Sequence, residues 1–140
     1  MKKFFAVVLT IFCVVILFTG CSKESAYKPT EVENVSISIS NVSSTGATVM
    51  IKDINKEPFV YGEWYKIEKE KDGEWYDVKT VISSYAFNDL GYLTDNNGEV
   101  KFTIDWEWLY GKLPSGNYRL LKEVASQYIS IEFCVTATEQ

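Results

Sequence analysis

From Asn34 onward, apolar and polar residues alternate with a period of two. Val35, Ile37 and Ile39 alternate with Ser36, Ser38 and Ser40, and Ala47, Val49 and Ile51 with Thr48, Met50 and Lys52. Successive side chains on a strand point to opposite faces, so each run predicts a half-buried β-strand. Asn41 to Gly46 forms the turn between them, and Asn55 to Pro58 ends the second strand. A longer, aromatic-rich strand is expected from Phe59 to Glu70, returning as Glu74 to Val81. The Asp72-Gly73 pair between these runs is a strong hairpin signal. Ser84 to Leu93 reads as a loop with a short strand, and Asp95 to Gly98 as a turn. Val100, Phe102 and Ile104 then alternate, Trp106 to Tyr110 fits one helical turn, and strands follow at Tyr118 to Val124 and Ile129 to Val135. About seven to eight strands with turns every 8–12 residues predict an all-β, antiparallel sandwich. The domain is expected over 34–140.

The first 20 residues have a different pattern. Lys2 and Lys3 precede an almost unbroken apolar run from Phe4 to Phe18, which meets Thr19, Gly20 and Cys21. Such a run is short of the roughly 20 residues that span a bilayer. Leu17-Phe18-Thr19-Gly20-Cys21 resembles a lipobox, with Phe18 bulkier than the usual aliphatic residue at its position. That resemblance implies a lipoprotein signal peptide over 1–20, cleavage between Gly20 and Cys21, and a diacylglycerol on the Cys21 sulfur. Two acyl chains give stable anchoring where one is marginal. The expected location is the outer face of the cell membrane, or the outer membrane in a Gram-negative source. Residues 21–33 are polar, include Pro29 and lack apolar periodicity, so a flexible tether is expected there.

Charge narrows the partners. Without Lys2 and Lys3 the chain keeps 12 basic residues against 19 acidic ones, a balance of −7. Nucleic acid is excluded as a partner, because phosphate contacts need clustered Lys and Arg. Attachment to a membrane then falls to the lipid on Cys21. Cys134 is the one cysteine left in the domain, and in the run YISIEFCV it reads as a small buried hydrophobe.

The spacing of Leu113, Gly116 and Tyr118 is similar to the approach to strand F of immunoglobulin-like sandwiches, where a tyrosine hydroxyl bonds back across the corner. Three segments, Ser44 to Asp53, Val60 to Val78 and Phe102 to Glu123, together resemble the bacterial immunoglobulin-like domains of firmicute lipoproteins and exported proteins. The most specific is Asp105-Trp-Glu-Trp-Leu-Tyr-Gly111 followed by Leu-Pro-x-Gly-x-Tyr-Arg. The resemblance implies an immunoglobulin-like sandwich in a surface setting. It implies no catalytic residue and no common ligand.

The chain has no histidine, which removes Ser-His-Asp and Cys-His catalysis and most zinc sites. No cofactor or metal is expected: Asp95, Asn97 and Glu99 fit a plain turn better than a calcium loop. Asp105 and Glu107 are the one carboxylate pair a glycan-active enzyme could use, and capping or solvent-facing roles suit them better. Aromatic residues make up 15% of the chain, a surplus that includes Trp64, Tyr65, Trp75, Tyr76, Tyr85, Trp106, Trp108 and Tyr110. Adjacent strand residues face opposite ways, so Trp64 and Tyr65 cannot both enter the core. Trp64, Trp108 and Tyr110 are the candidate binding surface, for a protein or cell-wall partner. Cross-strand packing with a corner plug made by Trp106 and Trp108 is the competing account. The reading is a non-enzymatic, surface-anchored binding module; the alternative is a passive structural or envelope-stress accessory domain.

Overall fold

A computed structural model describes residues 22–137. The leader, the cleavage position at Gly20 and the lipid site Cys21 lie outside the described residues. Among the described residues no helix is long and apolar enough to cross a membrane.

The strands are β1 (Val35–Ser40), β2 (Gly46–Asp53), β3 (Tyr65–Lys71), β4 (Glu74–Asp77), β5 (Glu99–Asp105), β6 (Gly116–Val124) and β7 (Gln127–Val135), with one helical turn, α1 (Glu107–Tyr110). They form two antiparallel sheets, β1-β2-β5 and β4-β3-β6-β7, packed face to face. This is the expected immunoglobulin-like sandwich, with seven strands. The Asp72-Gly73 hairpin forms as predicted. Both residues take positive φ, 53° and 78°, and Lys71 pairs with Glu74. That twist matches the flanking strands.

Alternation fills the core. Val49, Ile51, Ile67, Leu120 and Val135 point between the sheets, each contributing roughly 1.5–3 kcal/mol on burial. Trp106 and Tyr118 both stack on Phe133, with ring centroids 5.3 and 5.6 Å apart. Trp106 is fully buried and its Nε1–H donates to the Ser44 carbonyl at 2.9 Å, so it is the corner plug. Tyr118 donates its hydroxyl to the Pro114 carbonyl at 2.6 Å, the corner bond that the Leu113–Tyr118 spacing predicts.

Three expectations need correction. The strand expected from Phe59 begins only at Tyr65. The buried Asp53 carboxylate holds the preceding segment out of the sheet, accepting from Phe59 N–H and Tyr61 Oη, each at 2.8 Å. Burial works to raise the Asp53 pKa, but its hydrogen bonds, Asn55 N–H included, outweigh this and hold it below the usual value. Ser84 to Leu93 contains no strand; its one sheet-like contact is the Tyr61–Tyr92 bridge. Cys134 is exposed, because Phe133 and Val135 take the inward positions of β7 and alternation turns Cys134 outward.

The larger correction concerns the tether. Residues 22–30 are a strap laid across the outer face of the four-stranded sheet. At the β4 edge, Ser25 N–H donates to Trp75 O at 2.9 Å and Asp77 N–H to Lys23 O at 2.8 Å. At the β7 edge, Thr30 N–H donates to Tyr128 O at 2.8 Å. Between these ends Tyr27 packs against Trp64 and Tyr128, with centroids 5.9 and 4.8 Å away. Polar composition suggested freedom, but the polar groups answer charges beneath them. Glu68, fully buried, accepts from Arg119 Nε at 2.5 Å and from Ser25 Oγ. Arg119 also donates to the Tyr27 carbonyl at 3.4 Å and lies over the Trp75 ring.

Candidate functional site

The three-stranded sheet ends at β5. Asp53 N–H donates to Gly98 O at 2.7 Å and Trp106 N–H to Thr45 O at 2.9 Å, one bond just beyond each end of the β2–β5 ladder. Both bonds keep the β2–β5 register, so the hydrogen-bonded pairs between them are Ile51/Val100, Val49/Phe102 and Ala47/Ile104. Glu99, Lys101, Thr103 and Asp105 therefore direct their backbone groups away from β2. Glu99 is satisfied locally: its N–H donates to Asp95 Oδ1 at 2.9 Å and its carbonyl accepts Asp95 N–H at 2.8 Å. The Asp105 carbonyl accepts the Tyr65 hydroxyl at 3.3 Å. Lys101 and Thr103, lying between, have no backbone partner on this side among the described residues.

A groove of about 390 Å³ lies beside this edge. One wall is β5; the other is made by Tyr65, Phe87, Tyr92 and Trp108, with Glu63 among them. Phe87 is the centre of the aromatic wall, 5.2 Å from Tyr65, 6.0 Å from Trp108 and 6.1 Å from Tyr85, all edge-on. These are favourable geometries, worth roughly 0.5–1.5 kcal/mol each beyond burial. Trp108 on α1 and Tyr85 on the β4–β5 connection keep 43% and 47% of their surface exposed, with their rings 6.4 Å apart. Adjacent aromatic rings left in water beside a groove mark a candidate contact surface.

The titratable groups here are arranged for structure. Tyr92 donates to Glu63 Oε1 at 2.6 Å, and that acceptor raises the tyrosine pKa. Burial raises Tyr65, with Tyr110 and Asp105 adding to the shift. The N-cap of α1 is Trp106 and not Asp105; Asp105 Oδ1 instead accepts Glu107 N–H at 2.9 Å, a local turn bond just before the helix. Glu107 is exposed and does not line the groove. Asp95 likewise spends Oδ1 on the backbone of its own turn, accepting from Asn97 and Glu99 N–H.

The three aromatics expected to form one surface are separated. Trp108 lines the groove. Trp64 is half-buried beneath the strap, 5.5 Å from Tyr128 on the other sheet's outer face. Tyr110 is 7% exposed, and its hydroxyl accepts Ile67 N–H at 3.3 Å, with burial pushing its pKa up to about 12. Tyr110 is therefore a core residue and no part of a binding face. The groove residues that sequence reasoning missed are Glu63, Phe87 and Tyr92. They lie before β3 and on the β4–β5 connection, in segments without periodicity, so the sequence carries no signal for them.

The bacterial Ig-like domain family matches residues 30–139. No curated protein and no solved structure matches the chain. With two antiparallel sheets, a tyrosine corner and a family match over most of its length, the chain belongs to the bacterial Ig-like domain family.

Proposed function

We propose that this chain is a lipid-anchored, non-enzymatic binding module of the cell envelope, which uses the groove around Trp108 to hold a protein or cell-wall component. The observation that carries the reading is the coincidence of an aromatic wall, with Trp108 and Tyr85 exposed, and an unpaired strand edge in one place. The carboxylates nearest the groove are engaged with Tyr92 and with the α1 backbone, which favours binding over acid–base chemistry.

The strap bears on how such an anchor would work. Lys23 is already bonded to β4, and Ser22 alone separates it from Cys21. A lipid on Cys21 would then hold the domain against the headgroups, with little freedom to swing. In-cell crosslinking of the full chain, followed by mass spectrometry, tests the reading. A reproducible partner that survives Trp64→Ala but is lost in Trp108→Ala is expected. Cys21→Ser should release the protein from the membrane fraction. Equal capture by wild type and Trp108→Ala would rule the groove out.

A further inference from the structure

We infer that the free edge of β5 takes up an extended segment of a partner protein, which joins the three-stranded sheet as a fourth strand. This rests on the binding reading above and specifies its mode. Immunoglobulin-like sandwiches of the constant type carry four strands on the sheet that here has three, the fourth lying beside the strand equivalent to β5. The position a fourth strand would fill is the groove.

The edge has defined ends. Glu99 is closed by Asp95 and the Asp105 carbonyl by Tyr65, leaving the N–H and C=O of Lys101 and Thr103. An antiparallel visitor opposite these residues makes four backbone hydrogen bonds, the source of affinity in strand addition. Its side chain opposite Phe102 points inward with Phe102 and meets the aromatic wall of Phe87 and Trp108, so it should be apolar. Side chains opposite Lys101 and Asp105 lie on the outer face, where opposite charges are favoured. The best visitor is therefore acidic opposite Lys101 and basic opposite Asp105 and Glu99. It is net basic, which suits an acidic chain and the Glu63 carboxylate in the groove. Proteins usually blunt a bare edge with charge, bulges or cover. Here Lys101 puts a charge on the middle of the edge, but no backbone covers it among the described residues, and Trp108 beside it stays exposed.

The test uses the capped heptapeptide Lys-Val-Thr-Val-Glu-Val-Lys as probe, with the domain followed by NMR. The expected result is a saturable shift of the Lys101 and Thr103 amides together with the Trp108 indole. A peptide with the three charges reversed should bind at least fivefold more weakly. Thr103→Pro removes an outward N–H and leaves every β2 bond intact, a substitution edge strands tolerate. It should weaken binding at least tenfold. Should that variant unfold, the probe itself supplies the control. N-methylation of its Thr, whose N–H faces β5, should abolish binding, and N-methylation of its central Val, whose N–H faces away, should not. Shifts confined to Trp108, or indifference to the Thr N-methyl group, would overturn strand addition. A probe-free dimer protecting the same amides would also overturn it, by making a second copy the occupant. Envelope-partner capture lost in Trp108→Ala but intact in Thr103→Pro would sink this inference alone and leave the binding reading standing.

Discussion

Two edge strands of this sandwich, β4 and β5, are finished differently. The strap covers β4, with backbone bonds at Lys23 and Ser25, and reaches β7 at one point, where Thr30 N–H donates to the Tyr128 carbonyl. The three-stranded sheet leaves β5 open at Lys101 and Thr103. The buried charges follow the same division. Under the strap, Glu68 and Arg119 answer each other directly. Toward the open side, Lys122 is fully buried behind Phe102, with its Nζ 4.0 Å from the ring centre and donating to the Gly62 carbonyl at 2.5 Å. No carboxylate bonds to it among the described residues. The chain thus covers β4 with its own backbone and leaves the middle of β5 with capacity for a partner.

Breaking the closed side should have the largest effect. Arg119→Ala strands a buried carboxylate and should cost about 3–5 kcal/mol in denaturant unfolding. Arg119→Met with Glu68→Leu should recover most of that loss, since an apolar pair leaves no charge unanswered.

The buried amine of Lys122 gives the next effect, and its sign is fixed by linkage. Burial lowers the Lys122 pKa from 10.5 to about 8, partly offset by the Glu63 carboxylate. Between these values the unfolded chain holds the proton and the folded chain does not, so stability rises as pH increases from 8 toward 10. The penalty below pH 8 is on the order of 3 kcal/mol. Lys122→Met should flatten this rise in thermal melts between pH 7 and 10. Above pH 10 the sign reverses, because burial raises the pKa values of Tyr61 and Tyr65 and their ionisation favours the unfolded chain.

Tyr27→Ala should cost roughly 1–2 kcal/mol by uncovering Trp64 and Tyr128, and should hasten exchange at Thr30 N–H. The smallest effect belongs to the β6–β7 turn. Ala125 and Ser126 both take left-handed φ, 49° and 63°, without the glycine or asparagine that suits it. Ser126→Gly should stabilise the domain by up to about 1 kcal/mol, read as a raised melting temperature.

Most of the frame was legible in the sequence because period-two alternation and turn residues act locally. Val35 to Ser40, the Asp72-Gly73 hairpin and the Tyr118 corner all follow from neighbours. The misreadings have long-range causes. Asp53 pulls Phe59 and Tyr61 out of a strand their own composition favours. Lys23 to Thr30 resembles a linker because its partners, Trp75, Arg119 and Tyr128, lie about 50 to 100 residues away along the chain. Ala125-Ser126 carries no turn signal, and the long β6–β7 pairing imposes the turn. Of the candidate surface, Trp108 lines the groove, whereas Trp64 lies under the strap and Tyr110 in the core. The aromatic wall needs Phe87 and Tyr92 from a loop without periodicity, and no pattern in that loop assigns them a face.

Residue-resolved amide hydrogen exchange on the domain from Ser22 onward tests most directly that the strap closes the β4 edge while β5 stays open. Protection is expected at Ser25, Thr30 and Asp77, and near-intrinsic exchange at Lys101 and Thr103. Fast exchange at Ser25 and Thr30 together with protected Lys101 and Thr103 would contradict it.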